Sequence, residues 1–285
     1  MSSSSSKSIH VFAPAKLNLN LHVTGKLDSG YHTLDSLISF ADIGDNILIE
    51  PSSDFEFQID GPFSKHFRGR DLETDETATN LVVRAARGLA ELTDKALELK
   101  TTLTKNLPLG GGIGGGSADA AAVIWGLLEF WDLSREPGAI KGLDSLLLSL
   151  GADVPICFAC QSARIQGIGE IIDPVHSFPE VPIVLVYPGK PCETARIFGD
   201  YGGRLVEPLD LPQFETPQDL YKFMLESENM VSNAALRAVP EIQNALNALS
   251  AQAGCKFTRM SGSGSTCFGI FEGEDQAQDA AREMA

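Results

Sequence analysis

The feature of this sequence that most restricts its fold is a glycine-rich segment near the middle of the chain. It reads PLGGGIGGGSADAAA from Pro108 to Ala122, and six of the seven residues from Gly110 to Gly116 are glycine. Such a run costs conformational entropy when it becomes ordered, so a turn with a purely structural role rarely needs it. What the run allows is the close approach of a backbone to a ligand, with successive N–H groups turned inward.

The residues on either side predict a strand, then the loop, then a helix. Leucines alternate through residues 96–105, which is typical of a strand, and an apolar stripe at helical spacing follows from about Ser117 to Phe130. The start of a helix offers free N–H donors and about half a positive charge, which suits a phosphate group. Asp119 has a simpler interpretation, as an acidic residue in the first turn that the helix dipole favours.

Four interpretations of the glycine segment remain open on the residues alone. Its spacing nearly repeats a P-loop, but Gly116 stands where that motif needs a lysine for the phosphates. The dinucleotide fingerprint G-x-G-x-x-G is also matched, although in a run this rich in glycine the match is almost automatic. The third interpretation is the phosphate loop of another kinase family, and the fourth is a flexible hinge.

Two charged residues outside this segment are candidates for phosphoryl-transfer chemistry. Lys16 follows a proline on an otherwise apolar strand, and Asp153 stands between a helix end and an apolar segment. Phosphoryl transfer depends mainly on positioning and charge stabilisation, so it needs a cation and a group that orients the acceptor hydroxyl. Considered alone, Lys16 is more often a surface residue with a snorkelling stem, and Asp153 a turn or cap acid.

Composition excludes several classes of protein. The chain has 285 residues with 22 basic and 38 acidic side chains, giving a net charge of −16. This balance argues against a nucleic-acid or membrane-surface partner, because both need clustered Lys and Arg. The five cysteines show no spacing typical of a disulfide scaffold, and no apolar signal sequence follows the Ser-rich residues 1–6. We expect a cytoplasmic protein in which residues 1–6 are disordered.

A C-x-x-C pair, Cys157 and Cys160, is interpreted as packing rather than as a metal site. The pair lies in an apolar segment that we predict to be a strand, where residues three apart point to opposite faces. A structural zinc site would need a second pair of ligands, and the sequence has none at a suitable spacing.

Six motifs, taken in order along the chain, resemble the GHMP small-molecule kinase superfamily. They are APAKLNL from Ala13, GYHTL from Gly30, TNLVVRAAR from Thr79, PLGGGIGGGSADAA from Pro108, LGADVP from Leu150 and SGSGSTCFGIF from Ser261. The resemblance implies a two-domain α+β fold, with domains at residues 1–160 and 161–285. The first would resemble the second domain of ribosomal protein S5, and the second would be ferredoxin-like.

The resemblance also implies an ATP-dependent kinase whose acceptor is a small molecule, a cytidylyl sugar alcohol. Asp153 would act as general base toward the acceptor hydroxyl, with Lys16 beside it, and Asn80 would lie near the adenine. The residues implied to wrap the ATP phosphates are Pro108, Leu109, Gly110, Gly111, Gly112, Ile113, Gly114, Gly115, Gly116, Ser117 and Ala118. Those implied to contact the acceptor are Asn18, Tyr31, His32, Thr194 and Phe198, with Tyr31 and Phe198 stacking on the cytosine.

The resemblance implies Mg²⁺ only as a companion of ATP. Several relatives place a metal-binding serine where this chain has Gly116, so no protein ligand of the metal is assigned. We expect a monomer or a homodimer. Two other functions stay open: a GHMP kinase with a mevalonate- or homoserine-type acceptor, and a nucleotide-binding module without catalysis. The presence of both Lys16 and Asp153 argues against the second.

Overall fold

The protein is described by a computed structural model that covers residues 7–136 and 138–284. The Ser-rich residues 1–6 lie outside the described residues, and so does the prediction that they are disordered. Contacts divide the chain into two compact units. Of the described residues, the first unit contains 7–15, 42–109, 114–136 and 138–160, and the second contains 16–41, 110–113 and 161–284. The predicted domain bounds, 1–160 and 161–285, stay a prediction.

Strands and helices alternate irregularly along the chain, which confirms the predicted α+β class. The strands are β1 (Ile9–Asn18), β2 (His22–Lys26), β3 (His32–Pro51), β4 (Glu56–Asp60), β5 (Leu99–Thr104), β6 (Ala163–Gly167), β7 (Ile171–Pro174), β8 (Ile183–Val186), β9 (Cys255–Met260) and β10 (Cys267–Phe271). The helices are α1 (Leu81–Thr93), α2 (Gly115–Phe130), α3 (Leu143–Leu150), α4 (Val154–Ala159), α5 (Thr194–Gly199), α6 (Pro217–Glu226), α7 (Ser232–Ala238), α8 (Glu241–Ser250) and α9 (Glu274–Met284). Among the described residues, no helix combines the length and the apolar character that crossing a bilayer requires.

In the first unit, β5 is the strand that leads into the glycine segment. It pairs antiparallel with the end of β3 and parallel with β4. Its alternate residues Leu99, Thr101 and Leu103 are fully buried, as the leucine alternation predicted. The strand predicted over residues 96–105 is therefore confirmed, with β5 forming its core.

Helix α2 covers this part of the sheet and is apolar on most of its surface, as a helix buried on several sides must be. It is rich in alanine, so neighbouring elements can approach its backbone closely. A Cβ atom at Gly126 would lie 2.6 Å from Ile49 Cδ1, so any side chain there would force the buried Ile49 to shift. The predicted helix is confirmed, but it begins two residues earlier than expected, at Gly115.

The second unit contains a three-stranded antiparallel sheet in the order β8–β10–β9. Every residue of the central strand β10 is buried, which explains its continuous apolar sequence. The start of β3 pairs with β2 in a hairpin and with β6 on its other side. These pairings place residues 32–38, which include predicted site residues, in the middle of paired strands.

The predicted strand around the C-x-x-C pair is wrong, because residues 154–159 form the short helix α4. Pro155 stands in the first turn, where a missing N–H costs nothing, and Cys160 ends the helix in a left-handed conformation. Cys157 is buried as expected, whereas Cys160 is exposed, so the interpretation of both as buried packing is also wrong for Cys160. A short apolar run does not distinguish a strand from a helix by its period.

A buried ammonium group links the two ends of the glycine segment within the first unit. Lys105 Nζ forms ion pairs with Asp45 Oδ2 and, at 2.6 Å, with Asp119 Oδ2, and all three side chains are almost fully buried. Asp45 Oδ1 also accepts the N–H groups of Asn106 and Leu107, at 2.6 and 2.7 Å. The residues that lead into the segment are thereby fixed through Asp45, and the helix that leaves it is fixed through Asp119.

The interpretation of Asp119 as an acidic residue in the first turn of α2 is wrong. Asp119 lies beyond the first turn, and its carboxyl group pairs with Lys105. Burial raises the pKa of the Asp119 carboxyl to about 8, because desolvation outweighs the attraction of Lys105. For Lys105, burial works to lower the pKa, but Asp119 and Asp45 together raise it above its ordinary value. Lys105 therefore stays charged at neutral pH, and the proton that neutralises the remaining acid is held on Asp119.

We expect Lys105→Met to lower the free energy of unfolding by about 3–5 kcal/mol, because it leaves the buried Asp45 carboxylate without its cation. Urea denaturation measures this change. The matched control is Lys7→Met, which removes a lysine paired at 2.6 Å with the exposed Asp132. The control should cost less than about 1 kcal/mol. Equal losses in the two variants would contradict the role of the triad.

Asp119→Asn should change how stability depends on pH. A folded carboxyl that titrates near 8, against about 3.9 when unfolded, gives the folded state more bound protons between those values. The contribution of Asp119 to the free energy of unfolding therefore falls as pH rises through this window. We expect the fall between pH 5 and pH 8 to be smaller in Asp119→Asn than in the unsubstituted protein, as measured by urea denaturation. A parallel pH dependence would show that Asp119 is ionised throughout.

Candidate functional site

The conformation of the glycine segment requires glycine at alternate positions. Gly110, Gly112 and Gly114 have φ angles of 65°, 71° and 65°, in the left-handed region that other residues avoid. At Gly112 a Cβ atom would also lie 2.5 Å from the carbonyl oxygen of Gly264 and 2.7 Å from that of Ser261. Because both obstacles are backbone atoms, no rearrangement of side chains could make room.

Four consecutive carbonyl groups of the segment, those of residues 110–113, accept hydrogen bonds from other residues of the second unit, to which residues 110–113 also belong. The donors are Cys192 N–H to Gly110 at 3.0 Å, Thr266 N–H to Gly111 at 2.9 Å, Ser261 Oγ to Gly112 at 3.1 Å and Lys16 N–H to Ile113 at 2.9 Å. Carbonyl oxygens repel anions, whereas N–H groups attract them. Engaging all four carbonyls in this way favours an anion on the amide side of the segment.

The start of helix α2 adds a second group of amide donors in the first unit. Gly114 is the N-cap residue of the helix and has no side chain, so it makes no capping hydrogen bond to the N–H groups of the first turn. The first intrahelical bond runs from Ala118 N–H to the carbonyl of Gly114, at 2.8 Å. A Cβ atom at Gly115 would lie 3.1 Å from Lys105 Nζ, a tight contact with the buried triad. The positive end of the helix dipole thus coincides with a glycine-lined surface.

Lys16 occupies a position that differs from its simpler interpretation, whereas Asp153 lies in a turn, as its simpler interpretation predicted. Lys16 lies on β1 and is only 3% exposed, so it is not a snorkelling surface lysine. Asp153 precedes α4 and is half-buried, and its side chain does not cap that helix. The two residues belong to different units, Lys16 to the second and Asp153 to the first.

Helix α4 packs against α2, and this contact places Asp153 within the first unit. The Trp125 indole N–H donates to the carbonyl of Phe158 at 2.8 Å, and the two rings stack with centroids 4.9 Å apart. Just before Asp153, a Cβ atom at Gly151 would lie 4.0 Å from Ser117 Oγ. The turn that carries Asp153 therefore lies next to the first turn of α2.

The predicted acceptor residues His32 and Phe198 are brought together in the second unit. Their rings stack with centroids 5.8 Å apart, and Tyr201 meets the His32 ring edge-on at the same distance. Burial, followed by the nearby charge of Lys26, lowers the pKa of His32, so the imidazole is neutral at pH 7. A neutral imidazole offers one donor and one acceptor, as recognition of a base edge requires.

Other predicted acceptor residues lie on the same unit. Thr194 shares a hydrogen bond with Ser263 at 2.8 Å between the two hydroxyl oxygens. Tyr31 precedes His32 and is 66% exposed, which leaves its ring available for stacking. Asn18 is buried at the end of β1.

Asn80 has a structural task in the first unit as well as its predicted one. Its side-chain oxygen accepts the N–H of Val82 at 2.9 Å and so caps helix α1. The same residue is buried, with 8% of its surface exposed. The asparagine of the TNLVV motif is therefore explained in part by the start of a helix.

Sequence reasoning missed several residues that shape these sites. No role was assigned to Ser261, although it opens the second Gly-Ser motif, SGSGST from Ser261 to Thr266. No role was assigned to Tyr201 either, although it follows Phe198 by three residues and belongs to the same aromatic cluster. No local signal identified Asp45 or Lys105 as partners, because they are 60 residues apart. Among the described residues, no group of three or more His, Cys, Asp or Glu side chains could hold a metal ion.

Comparison with known proteins gives a consistent result. The family model described as the GHMP kinases N terminal domain matches residues 80–160, and the GHMP kinases C terminal model matches residues 211–285. A 4-diphosphocytidyl-2-C-methyl-D-erythritol kinase of Roseobacter denitrificans is 42% identical over 279 residues, covering 97% of this chain and 89% of the relative.

Two solved structures show how far the fold is shared. A crystal structure of 4-(cytidine 5'-diphospho)-2C-methyl-D-erythritol kinase superposes with a TM-score of 0.76 at 30% identity, covering 97% of this chain and 95% of that one. Homoserine kinase from Cytophaga hutchinsonii gives a TM-score of 0.65 at 18% identity, covering 100% and 91%. The second likeness is one of fold alone.

Proposed function

Because the chain belongs to the GHMP kinases, and within them to the 4-diphosphocytidyl-2-C-methyl-D-erythritol kinases, we propose that it phosphorylates the 2-hydroxyl of 4-diphosphocytidyl-2-C-methyl-D-erythritol with ATP. The reaction releases ADP and is a step of the non-mevalonate route to isoprenoid precursors. The observation that carries this proposal is the engagement of four consecutive carbonyls in residues 110–113, which supports an amide cradle for phosphates.

The glycine segment and the start of α2 fit the phosphates of ATP. At Gly112 a Cβ atom would collide with the backbone of Ser261 and Gly264, so glycine there lets the two glycine-rich segments pack closely and hold the cradle in shape. The uncapped first turn of α2 supplies further N–H groups and the positive end of a dipole. In this proposal residues 108–118 bind the phosphates, and Asn80 lies near the adenine.

The transfer forms a bond between the acceptor oxygen and the γ-phosphorus and breaks the bond between that phosphorus and the β,γ-bridging oxygen. The acceptor proton passes to the carboxylate of Asp153, which acts as general base. Because an alcohol is far less acidic than a carboxylic acid, this transfer takes place as the new P–O bond forms. Lys16, a buried cation on β1, stabilises the negative charge of the transferred group.

On the acceptor side, the cluster around His32 supports recognition of cytosine. The neutral imidazole hydrogen-bonds the base edge, while Tyr31 and Phe198 stack on its faces. Stacking of a base on an aromatic ring contributes about 1–3 kcal/mol. Asn18 contacts the methylerythritol, and Thr194 contributes to the same pocket.

Mg²⁺ would arrive bound to the phosphates of ATP, where it neutralises charge during the transfer. We assign no protein ligand to it. Gly116 is exposed, and a Cβ atom there would make only an ordinary contact, 3.7 Å, with Leu81. Packing therefore does not exclude the serine that several relatives carry at this position.

An acceptor screen tests the function directly. Purified protein is given ATP with 4-diphosphocytidyl-2-C-methyl-D-erythritol, mevalonate or homoserine, and ADP release is measured. We expect turnover only with the cytidylyl substrate. Turnover with mevalonate or homoserine instead would support the second function considered from the sequence, and ATP binding without turnover would support a non-catalytic module.

Asp153→Asn should lower kcat by about 10²–10⁴ and leave ATP binding nearly normal, because the amide cannot accept the proton. Kinetics and calorimetric titration with a non-hydrolysable ATP analogue measure the two effects. Asp144→Asn is the matched control, since Asp144 is an exposed acid in the first turn of α3 in the same unit. Unchanged turnover in Asp153→Asn would refute the assignment of the base.

Tyr31→Ala should raise the KM for the cytidylyl substrate by about 5- to 150-fold, which corresponds to about 1–3 kcal/mol per stacked base. The KM for ATP should change far less. Tyr31→Phe keeps the ring and should keep most of the affinity, which separates stacking from the hydroxyl group. Equal changes in both KM values would move Tyr31 out of the cytidine pocket.

A further inference from the structure

The end of β1 holds Asn18 by its backbone and by its side chain, all within the second unit. The Asn18 backbone N–H donates to Ser261 Oγ at 3.0 Å, and its side-chain Nδ2 donates to Ser36 Oγ at 2.8 Å. Asn18 and Ser36 are 3% and 0% exposed. The amide is therefore fixed by protein partners and not by solvent.

The hydroxyl of Ser36 determines which way the amide of Asn18 faces. A serine hydroxyl has one proton, and Ser36 donates it to the backbone carbonyl of Asn20. Toward Asn18, the Ser36 oxygen can therefore act only as an acceptor. An acceptor at this position selects the Nδ2 group and turns Oδ1 away, which decides the orientation that an isolated asparagine would leave open.

The carbonyl oxygen of the amide faces a surface without a side chain. A Cβ atom at Gly262 would lie 3.1 Å from Asn18 Oδ1 and 2.8 Å from the carbonyl oxygen of Gly112. Glycine at this position, where φ is 56°, places no side chain against Oδ1. The segment that approaches Asn18 Oδ1 thus comes from the second Gly-Ser motif.

We propose that Ser36 is a positioning residue of the acceptor site, which fixes the Asn18 amide so that its oxygen accepts a hydrogen bond from a hydroxyl group of the acceptor. The proposal rests on the proposed function, in which Asn18 contacts the acceptor polyol. It gives that contact a direction: Asn18 offers Oδ1 as an acceptor, so its preferred ligand is a hydroxyl donor. Ser36 itself touches no substrate.

The kinetic test compares Ser36→Ala with Ser39→Ala. Ser39 lies three residues along β3, where its hydroxyl meets that of Ser162 at 3.0 Å, so the control loses a hydrogen bond remote from Asn18. We expect Ser36→Ala to raise the KM for the cytidylyl substrate about tenfold, as the loss of one buried hydrogen bond implies, with the KM for ATP within about twofold. Ser39→Ala should change neither value, and Ser36→Thr, which keeps the hydroxyl, should restore the acceptor KM.

A double-mutant cycle separates positioning from general damage. If Ser36 acts through Asn18, Ser36→Ala should add no further loss in an Asn18→Ala background. An equal loss in both backgrounds, or a similar rise in both KM values, would overturn the proposal. Thermal unfolding of each variant shows whether the second unit remains folded.

A second measurement tests the orientation of the Asn18 amide independently of the proposed kinase function. In protein labelled with ¹⁵N-asparagine, the side-chain amide protons of Asn18 should exchange slowly with solvent, and faster in Ser36→Ala than in Ser39→Ala. Slow exchange in a protein that fails to phosphorylate the cytidylyl substrate would count against the function and in favour of the orientation. Exchange that does not respond to Ser36→Ala would overturn the orientation even in an active kinase.

Discussion

The rest of the site depends on how the backbone carbonyl groups of residues 110–113 are hydrogen-bonded. Each backbone unit carries one donor and one acceptor, and a loop that holds anions must use its donors for the ligand and place its acceptors elsewhere. Here the carbonyl groups of residues 110–113 accept hydrogen bonds from Lys16, Cys192, Ser261 and Thr266. Two of these donors lie in the second Gly-Ser motif, so one glycine-rich segment explains the need for the other.

Buried charge is the second constraint, and the chain meets it with networks that also position its loops. Lys105 and its two carboxylates fix both ends of the glycine segment in the first unit. In the second unit Arg259 donates to the carbonyls of Leu19, Met224 and Ser227, and burial lowers its pKa to about 10. It therefore stays charged at neutral pH and ties the residues after Asn18 to the end of α6. Unpaired, such groups would cost several kcal/mol, so their partners are as necessary as the charges.

The proposed acceptor site consists of neutral polar groups whose orientation is set by neighbours. His32 is kept uncharged by burial and Lys26, and its ring stacks on Phe198 and meets Tyr201 edge-on. Asn18 has its amide turned by Ser36. Groups of this kind discriminate ligands well, because a substrate with the wrong donor or acceptor leaves a buried polar atom unpaired.

The sequence by itself determined that a strand, the glycine segment and a helix follow one another, and it determined the α+β class and the family. Each of these depends on local composition or on motifs of adjacent residues. Through the family resemblance the sequence also assigned Tyr31, His32 and Phe198 to one acceptor pocket, which stays a prediction; the stacking of His32 on Phe198 comes from the structure. Only the tertiary structure decided that residues 154–159 form a helix, that Asp119 pairs with Lys105, and that Ser36 orients Asn18. The physical reason is that these outcomes depend on partners distant in sequence: Asp45 and Lys105 are 60 residues apart, and Asn18 and Ser261 are 243 apart. Local periodicity carries no information about which distant group will neutralise a charge or accept a proton.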